Sequence, residues 1–419
     1  MLQAKPRALR FAHEDRGNVA VIFALALVPL VGFMGLAVDY GSWTHRETTL
    51  RKAADAASIA GVRELASAVA EGDIDRAATR AKSVALTYFD TNSVGTSVTK
   101  VTPFLNQEFK VTVETTQPAQ KTFSQVISAK AVNINVLSEA VATKADDACI
   151  VALDPSASVG IDFNLSGQVL ANNCSIWSNS QANKSVSGNG SGTVKSSTTC
   201  AAGGASVSPA IGFQPTVKSG CLPVRDPLAH WSPPAYDPSC KKKQLSLEKP
   251  GRYTLEPGVY CGGIAIRGGA VVTLKPGLYV MKDGPLSVTG GGAISGFGVS
   301  ILFTGEKAVA DLGGASIADL SAPTAGPMAG LVLAAGRQEP KQTSTLKGND
   351  AFRLEGHVYL PTQDLKYTGG PEGALPAAYT NVVARTITFN GASRVEFRNN
   401  TSGGPSYAAK AFSGIHLVR

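Results

Sequence analysis

Residues 250–279 read PGRYTLEPGVYCGGIAIRGGAVVTLKPGLY. Leu-Glu-Pro-Gly-Val-Tyr at 255–260 is echoed by Leu-Lys-Pro-Gly-Leu-Tyr at 274–279, and Pro250-Gly251-Arg252-Tyr253 precedes both. Pro-Gly pairs punctuate turns, and the short Val/Ile/Leu runs between them read as strands. A repeat of about 19 to 21 residues is the period of a solenoid whose turns each supply a few short strands.

The same texture extends in both directions. Further candidate strands lie at 271–274, 299–303, 330–333, 357–360 and 385–389, and Ser166–Gly167 and Ser187–Gly188 each lead into a Val and then a Cys. No helix-period segment of ten residues occurs after 150. The chain holds 44 glycines, with Asn and Ser frequent beyond 155, a composition suited to many turns. Residues 146–419 are therefore expected to form an all-β domain, a parallel β-helix, with a β-sandwich or jelly roll as the alternative.

The six cysteines all fall in the first part of this region: Cys149, Cys174, Cys200, Cys221, Cys240 and Cys261. An even count in a loop-rich stretch points to three disulfides and an oxidising compartment. Sequence does not choose among the fifteen possible pairings. No CxxC pair or neighbouring His set suggests zinc, so no metal and no cofactor are expected.

Residues 39–145 read differently. Leu50, Ala54, Ala57, Gly61, Leu65 and Ala68 fall on one face of a helix. That stripe suits either a helix covering a small sheet or a stalk packing against like helices. Gly72 and Asp73 look like a break and a new N-cap. Ile74, Ala78, Ala81, Ala85 and Tyr88 give a second stripe. The period then becomes two, at Phe109, Val111 and Val113 and at Val132, Ile134 and Val136, with a short helical turn over Phe123, Val126 and Ile127 between them. Two helices on a small antiparallel sheet are expected.

Residues 19–38, VAVIFALALVPLVGFMGLAV, carry no charge. At about 1.5 Å per residue they cross a hydrocarbon core of roughly 30 Å. The run is longer than the apolar core of a cleaved signal and continues into helix-forming sequence, so a retained anchor is expected. Pro29 should kink the helix rather than end it. Lys5, Arg7, Arg10 and Arg16 precede the span, which favours residues 1–18 in the cytoplasm and the body outside.

Three blocks in order carry a family likeness: Arg16-Gly17-Asn18-Val19-Ala20-Val21-Ile22-Phe23-Ala24-Leu25-Ala26; Gly35-Leu36-Ala37-Val38-Asp39; and Leu50 with Ala53-Ala54-Asp55-Ala56-Ala57 and Ala60-Gly61. They resemble the TadG-like family of Flp/Tad (tight adherence) pilus-assembly proteins of bacteria. Cys149-Ile150-Val151-Ala152-Leu153-Asp154 and Thr386-Ile387-Thr388-Phe389-Asn390-Gly391 resemble that family's β-rich region more weakly. The resemblance implies a single-pass inner-membrane protein with a periplasmic or surface-exposed body, and supplies no catalytic residues. Pilin-like members cut by a prepilin peptidase have Gly before the cut and Glu five residues after it. Here Gly17 and Asn18 would flank the cut, but the fifth residue is Ile22. Processing at this point is therefore not favoured.

Other motifs read as structural. Asp154-Pro155-Ser156-Ala157-Ser158 fits the DxSxS pattern of a metal-dependent adhesion site, but no helix follows, and a tight turn is expected. Asp283, Asp311 and Asp319 show no clustering that glycoside chemistry would need. His13, His45, His230, His357 and His416 support no Ser-His-Asp set. Gly262-Gly263 and Gly290-Gly291-Gly292 lack the features of a phosphate loop. The Pro-rich stretch 223–238, with Trp231 and Tyr236, reads as an excursion pinned by cysteines at 221 and 240. Net charge is +8, with basic residues scattered apart from Lys241–Lys242–Lys243, so nucleic acid is not an expected partner. The expected function is non-enzymatic: a membrane-anchored pilus-assembly component contacting the lipid bilayer and other Tad proteins, with its oligomeric state open. The alternatives are a surface adhesin or glycan-binding solenoid and a membrane-tethered carbohydrate-active enzyme.

Overall fold

The computed structural model describes residues 18–70, 73–93, 100–105, 109–126, 130–312, 317–348, 352–369, 380–391, 394–398 and 407–418. The chain forms two compact units, one of Met1–Leu65, Ala78–Val141 and His416–Arg419, the other of Ala66–Ala77 and Ala142–Ile415. Residues 1–17, the expected cytoplasmic segment, lie outside the described residues, as do Gly72 and Ile127.

Helix α1, Asn18–Ala70, runs unbroken through Pro29, and the first unit is built on its residues up to Leu65. Leu50, Ala54, Ala57, Gly61, Leu65 and Ala68 are all buried. Helix α2, Ile74–Asn92, lies against the same stretch, and a Cβ on Gly61 would sit 3.0 Å from Ala85 and 3.1 Å from Val111. Small residues thus let helix, helix and sheet approach closely within the one chain. The stripe covers its own sheet, which removes it as a surface for like helices. The second stripe holds at Ala81 and Ala85 and is corrected at both ends. Ala77, Ala81, Ala85 and Phe89 are buried, whereas Ile74 and Tyr88 are exposed.

The sheet runs β1 (Lys100–Phe104), β2 (Phe109–Pro118), β3 (Asn133–Lys144) and the closing strand Phe412–Val418. β1 pairs β2 antiparallel, from Lys100↔Glu114 to Phe104↔Lys110. Val111, Val113, Ile134 and Val136 fill the core, but Val132 precedes β3 and is exposed. Between β2 and β3 the short turn is a single 3-10 turn, Ser124–Val126. Asp55 fastens β3 to α1: Ser138 donates to its Oδ1 at 2.7 Å, and the Ser58 and Ser138 hydroxyls lie 3.0 Å apart.

The second unit is a parallel β-solenoid of about ten turns with three strand stacks. Most described turns present a strand to each stack, and the inward side chains form a continuous core that includes Phe163, Ile176, Ile266, Val288, Phe303 and Phe389. Phe163 stacks on its register partner Phe389, and Tyr260 stacks on Tyr279 of the neighbouring turn.

The stacking order departs from chain order. One ladder of partners runs Val259, Val280, Leu302, Ala334, Tyr359, Val383, Val151, Trp177, Cys200. The chain enters the solenoid at Ala148–Ala152, in the middle of the stack, and climbs to one end at Lys218–Ser219. It then returns to the far end at Cys240–Leu247 and coils back until Thr380–Gly391 docks on Ala148–Ala152 and Ile161–Leu165.

The Pro-rich stretch 223–238 is the return path. About ten strands at roughly 4.8 Å span nearly 50 Å. About 20 residues reach that far only when close to extended, which proline favours. Val224 and Leu228 are buried on the outer face of the ladder, with Trp231 and Tyr236 packed beside them. Polar contacts fix the strap. The Trp177 indole donates to the Leu222 carbonyl at 2.8 Å. The Asn179 amide exchanges two hydrogen bonds with the Val224 backbone, at 2.7 and 2.9 Å. Further along, Arg337 pairs with Asp226 at 2.7 Å and donates to the Leu228 and Trp231 carbonyls, while the Tyr359 hydroxyl donates to Asp226 at 2.8 Å. Burial raises the Tyr359 phenol's pKa, and the Asp226 carboxylate adds to it, so the hydroxyl stays a donor.

Register corrects the repeats. Pro-Gly-x-Tyr recurs because each Tyr closes its own corner. The hydroxyls of Tyr253, Tyr260 and Tyr279 donate to the carbonyls of Lys249, Glu256 and Lys275, at 3.2, 2.7 and 2.9 Å. Gly258 and Gly277 sit in these corners at φ 147° and 140°, a region other residues avoid. In the sheet, however, Tyr279 lies beside Gly258 and Tyr260 beside Met281, so the phrase repeat and the strand register differ by two residues. Likewise Ser187–Gly188 lies within the strand Val186–Gly190, whereas Gln168–Val169 stacks on Thr193–Val194. The turn equivalent to Ser166–Gly167 is thus Ser191–Gly192.

Candidate membrane anchor and the loop docked on it

Among the described residues, the apolar half of α1 exposes a long run of large hydrophobic side chains. Val19, Leu25, Val28 and Phe33 are each exposed, and α1 is the one described helix long and apolar enough to cross a membrane. A surface of this kind in water would be an aggregation liability; in lipid it is at home.

The segment ends at a built contact rather than in open solvent. Asp39 is buried, and its carboxylate faces the loop between β2 and β3. Oδ2 accepts from the amides of Phe123 at 2.9 Å, Ser124 at 2.6 Å and Thr122 at 3.2 Å. These are the donors a helical turn leaves unpaired at its start. The Ser124 amide is the chief reason that the Asp39 carboxyl is held down to about 2, against the opposing effect of burial. One turn earlier, a Cβ on Gly35 would lie 2.6 Å from the Phe123 Cβ, so only glycine admits that ring. Phe123 and Val126 close an apolar groove with Val28, Pro29, Val31, Gly32, Phe33 and Leu36. One turn later, the Trp43 indole donates to the Gln120 carbonyl at 2.6 Å and Arg46 to its side-chain oxygen at 3.2 Å. Gly35, Asp39 and Phe123 were missed as site residues in the sequence. The signal available was Gly35 and Asp39 standing four apart in one block beside the span.

The six cysteines come together as consecutive pairs: Cys149–Cys174, Cys200–Cys221 and Cys240–Cys261, with Cα separations of 5.7, 5.9 and 5.6 Å. Their sequence separations of 25, 21 and 21 residues are each one turn of the coil, so every disulfide staples neighbouring turns. Two of them fix the ends of the strap. Of the processing pair, Gly17 lies outside the described residues and Asn18 opens α1.

The other motifs are spoken for locally. Asp154 Oδ1 accepts from the Ser156 amide and hydroxyl in a turn, and its Oδ2 pairs with Arg385 at 2.8 Å. Burial pushes the Asp154 carboxyl up, but the Ser156 hydrogen bonds and the Arg385 guanidinium outweigh it and hold it below the usual range. Asp319 pairs with Arg353, Asp311 accepts from Ser287, and Asp283 accepts from the Glu306 amide, on separate parts of the coil. His357 is buried against Tyr407. Gly262 and Gly263 take positive φ within the strand Gly258–Ile266, and Gly290 and Gly291 take it in a turn. Among the described residues, no group of three or more His, Cys, Asp or Glu is placed to hold a metal ion.

Fold and site together define a class: a β-solenoid body and a small α+β unit built on one long helix, whose apolar half is a candidate membrane anchor. Residues 17–64, which contain that half and the small-residue stripe as far as Gly61, match the family model described as "Putative Flp pilus-assembly TadE/G-like". No curated protein and no solved structure matches the chain.

Proposed function

We propose that this protein is a membrane-anchored, non-enzymatic component of the bacterial Flp/Tad pilus-assembly apparatus that acts by protein–protein contact. The observation carrying this reading is the family match over residues 17–64, because it falls on the anchor and on the residues that dock β3 and the β2–β3 loop to it. The anchor sits in the bacterial inner membrane as a single pass. Lys5, Arg7, Arg10 and Arg16 favour an N-terminus in the cytoplasm, with both units in the periplasm or exposed at the cell surface. Three disulfides fit an oxidising location. The carboxylates of Asp154 and Asp319 are each engaged by an arginine, which supports a structural role for them rather than acid–base work.

Crosslinking in the native cell, followed by identification of the captured proteins, tests the proposal. A pilus-assembly protein among the crosslinked partners is the expected result. Recovery of glycans or unrelated envelope proteins alone would overturn it.

A further inference from the structure

We infer that residues 119–126 form a second membrane contact, in which Phe123 and Val126 enter the interfacial layer of the bilayer beside the point where α1 leaves it. The inference rests on the reading of α1 as a membrane span. Val126 is 90% exposed and Phe123 47% exposed, although both border an apolar groove on α1. The groove lies on residues 28–36, inside the span itself, so whatever surrounds the helix there also surrounds the loop. At about 1.5 Å per residue, Gly35 lies roughly 6 Å and Gly32 roughly 10 Å below Asp39. That is the depth at which interfacial elements bury their apolar faces.

The loop's backbone is prepared for leaving water. Its Thr122, Phe123 and Ser124 amides donate to the Asp39 carboxylate instead of to solvent, and the Val126 amide donates to the Phe123 carbonyl at 3.2 Å. Above this level stand the groups that prefer a headgroup region. Trp43 and Arg46 both hold Gln120, and Lys121 donates to the Lys130 carbonyl. An apolar tip, a turn whose 122–124 amides are held by Asp39 and a Trp/basic collar in that order describe an interfacial anchor, and the occupant of the groove's open side is lipid acyl chain.

The test uses the full chain as the sole protein in phosphatidylcholine vesicles. All six native cysteines are paired, so a single introduced cysteine can carry an environment-sensitive fluorophore. Three positions are labelled: Val126→Cys, Val28→Cys within the span, and Asp90→Cys on α2 as an aqueous control. Quenching is then compared for lipids carrying a nitroxide near the headgroup or near the chain end. At position 126, blue-shifted emission quenched about twofold more by the shallow nitroxide than by the deep one is expected. Quenching at position 28 with water-like emission at 126 would overturn the loop contact and leave the anchor standing. Blue-shifted emission at 126 without quenching by either lipid would mean that protein covers the tip, which also overturns it. Water-like emission at 28 would remove the anchor, and this inference with it.

Discussion

Asp39 shows how much one side chain can organise at the end of a span. Its Oδ2 serves three backbone amides that would otherwise lack partners beside an apolar helix. Asp39→Asn replaces one acceptor with a donor and removes the charge. Amide hydrogen exchange at 122–124 should then speed up by roughly tenfold or more, with α1 little changed. Protonation should act in the same direction. Because the folded carboxyl lies near 2 and an unfolded one near 4, its contribution is complete above about pH 4 and is lost as pH falls toward 2. Loop exchange measured across that window, relative to intrinsic rates, should rise, and a flat profile would contradict the assignment. Arg385 does comparable work in the solenoid. It pairs with Asp154 at 2.8 Å and Asp364 at 2.6 Å, joining three successive turns across the place where distant parts of the chain meet. Arg385→Met should cost about 2–3 kcal/mol in urea unfolding, since both partly buried carboxylates lose their counter-charge.

At the level of elements, local chemistry was legible and register was not. Pro-Gly-x-Tyr announced the corners correctly, because the Tyr hydroxyl reaches back to the carbonyl four residues earlier whatever lies alongside. The phrase could not give the pairing, because turn lengths between corners vary and a slide of two residues leaves the same side chains facing inward. In α2, Ile74 and Tyr88 drew the eye as large apolar residues, yet the buried face consists of Ala77, Ala81, Ala85 and Phe89. Close helix approach selects small side chains, and size-weighted patterns overlook them. The same closeness governs α1, where Ala57 is fully buried. Ala57→Leu should overpack this contact and cost roughly 1–3 kcal/mol, read as a lower urea midpoint for the first unit. A neutral outcome would mean that the stripe faces open space.

For the whole molecule, the solenoid was legible in composition and period, but its order was not. Nothing in the residues 380–391 says that they stack on 148–165 rather than on a turn that follows them, since β-solenoid strands of similar pattern are interchangeable in sequence. The Pro-rich strap was the one hint, as a solenoid stacked in chain order has no need of a long extended connection. The order can be tested directly. Thr388 and Asp162 are register partners, so the double variant Asp162→Cys/Thr388→Cys should form a disulfide detectable by mass spectrometry of unreduced peptides. Stacking in chain order would hold these positions several turns apart and give none.

The chain's entry and exit also lie together on the solenoid. Ala148 bonds with Ala409 in both directions, at 2.8 and 3.0 Å, and the Ala145 amide donates to Ala411 at 3.0 Å. The chain therefore enters and leaves the solenoid side by side, at an inner turn rather than at an end of the stack. Fraying of the solenoid from either end of its own chain segment therefore has to start at an inner turn, while disulfides staple the outermost turns.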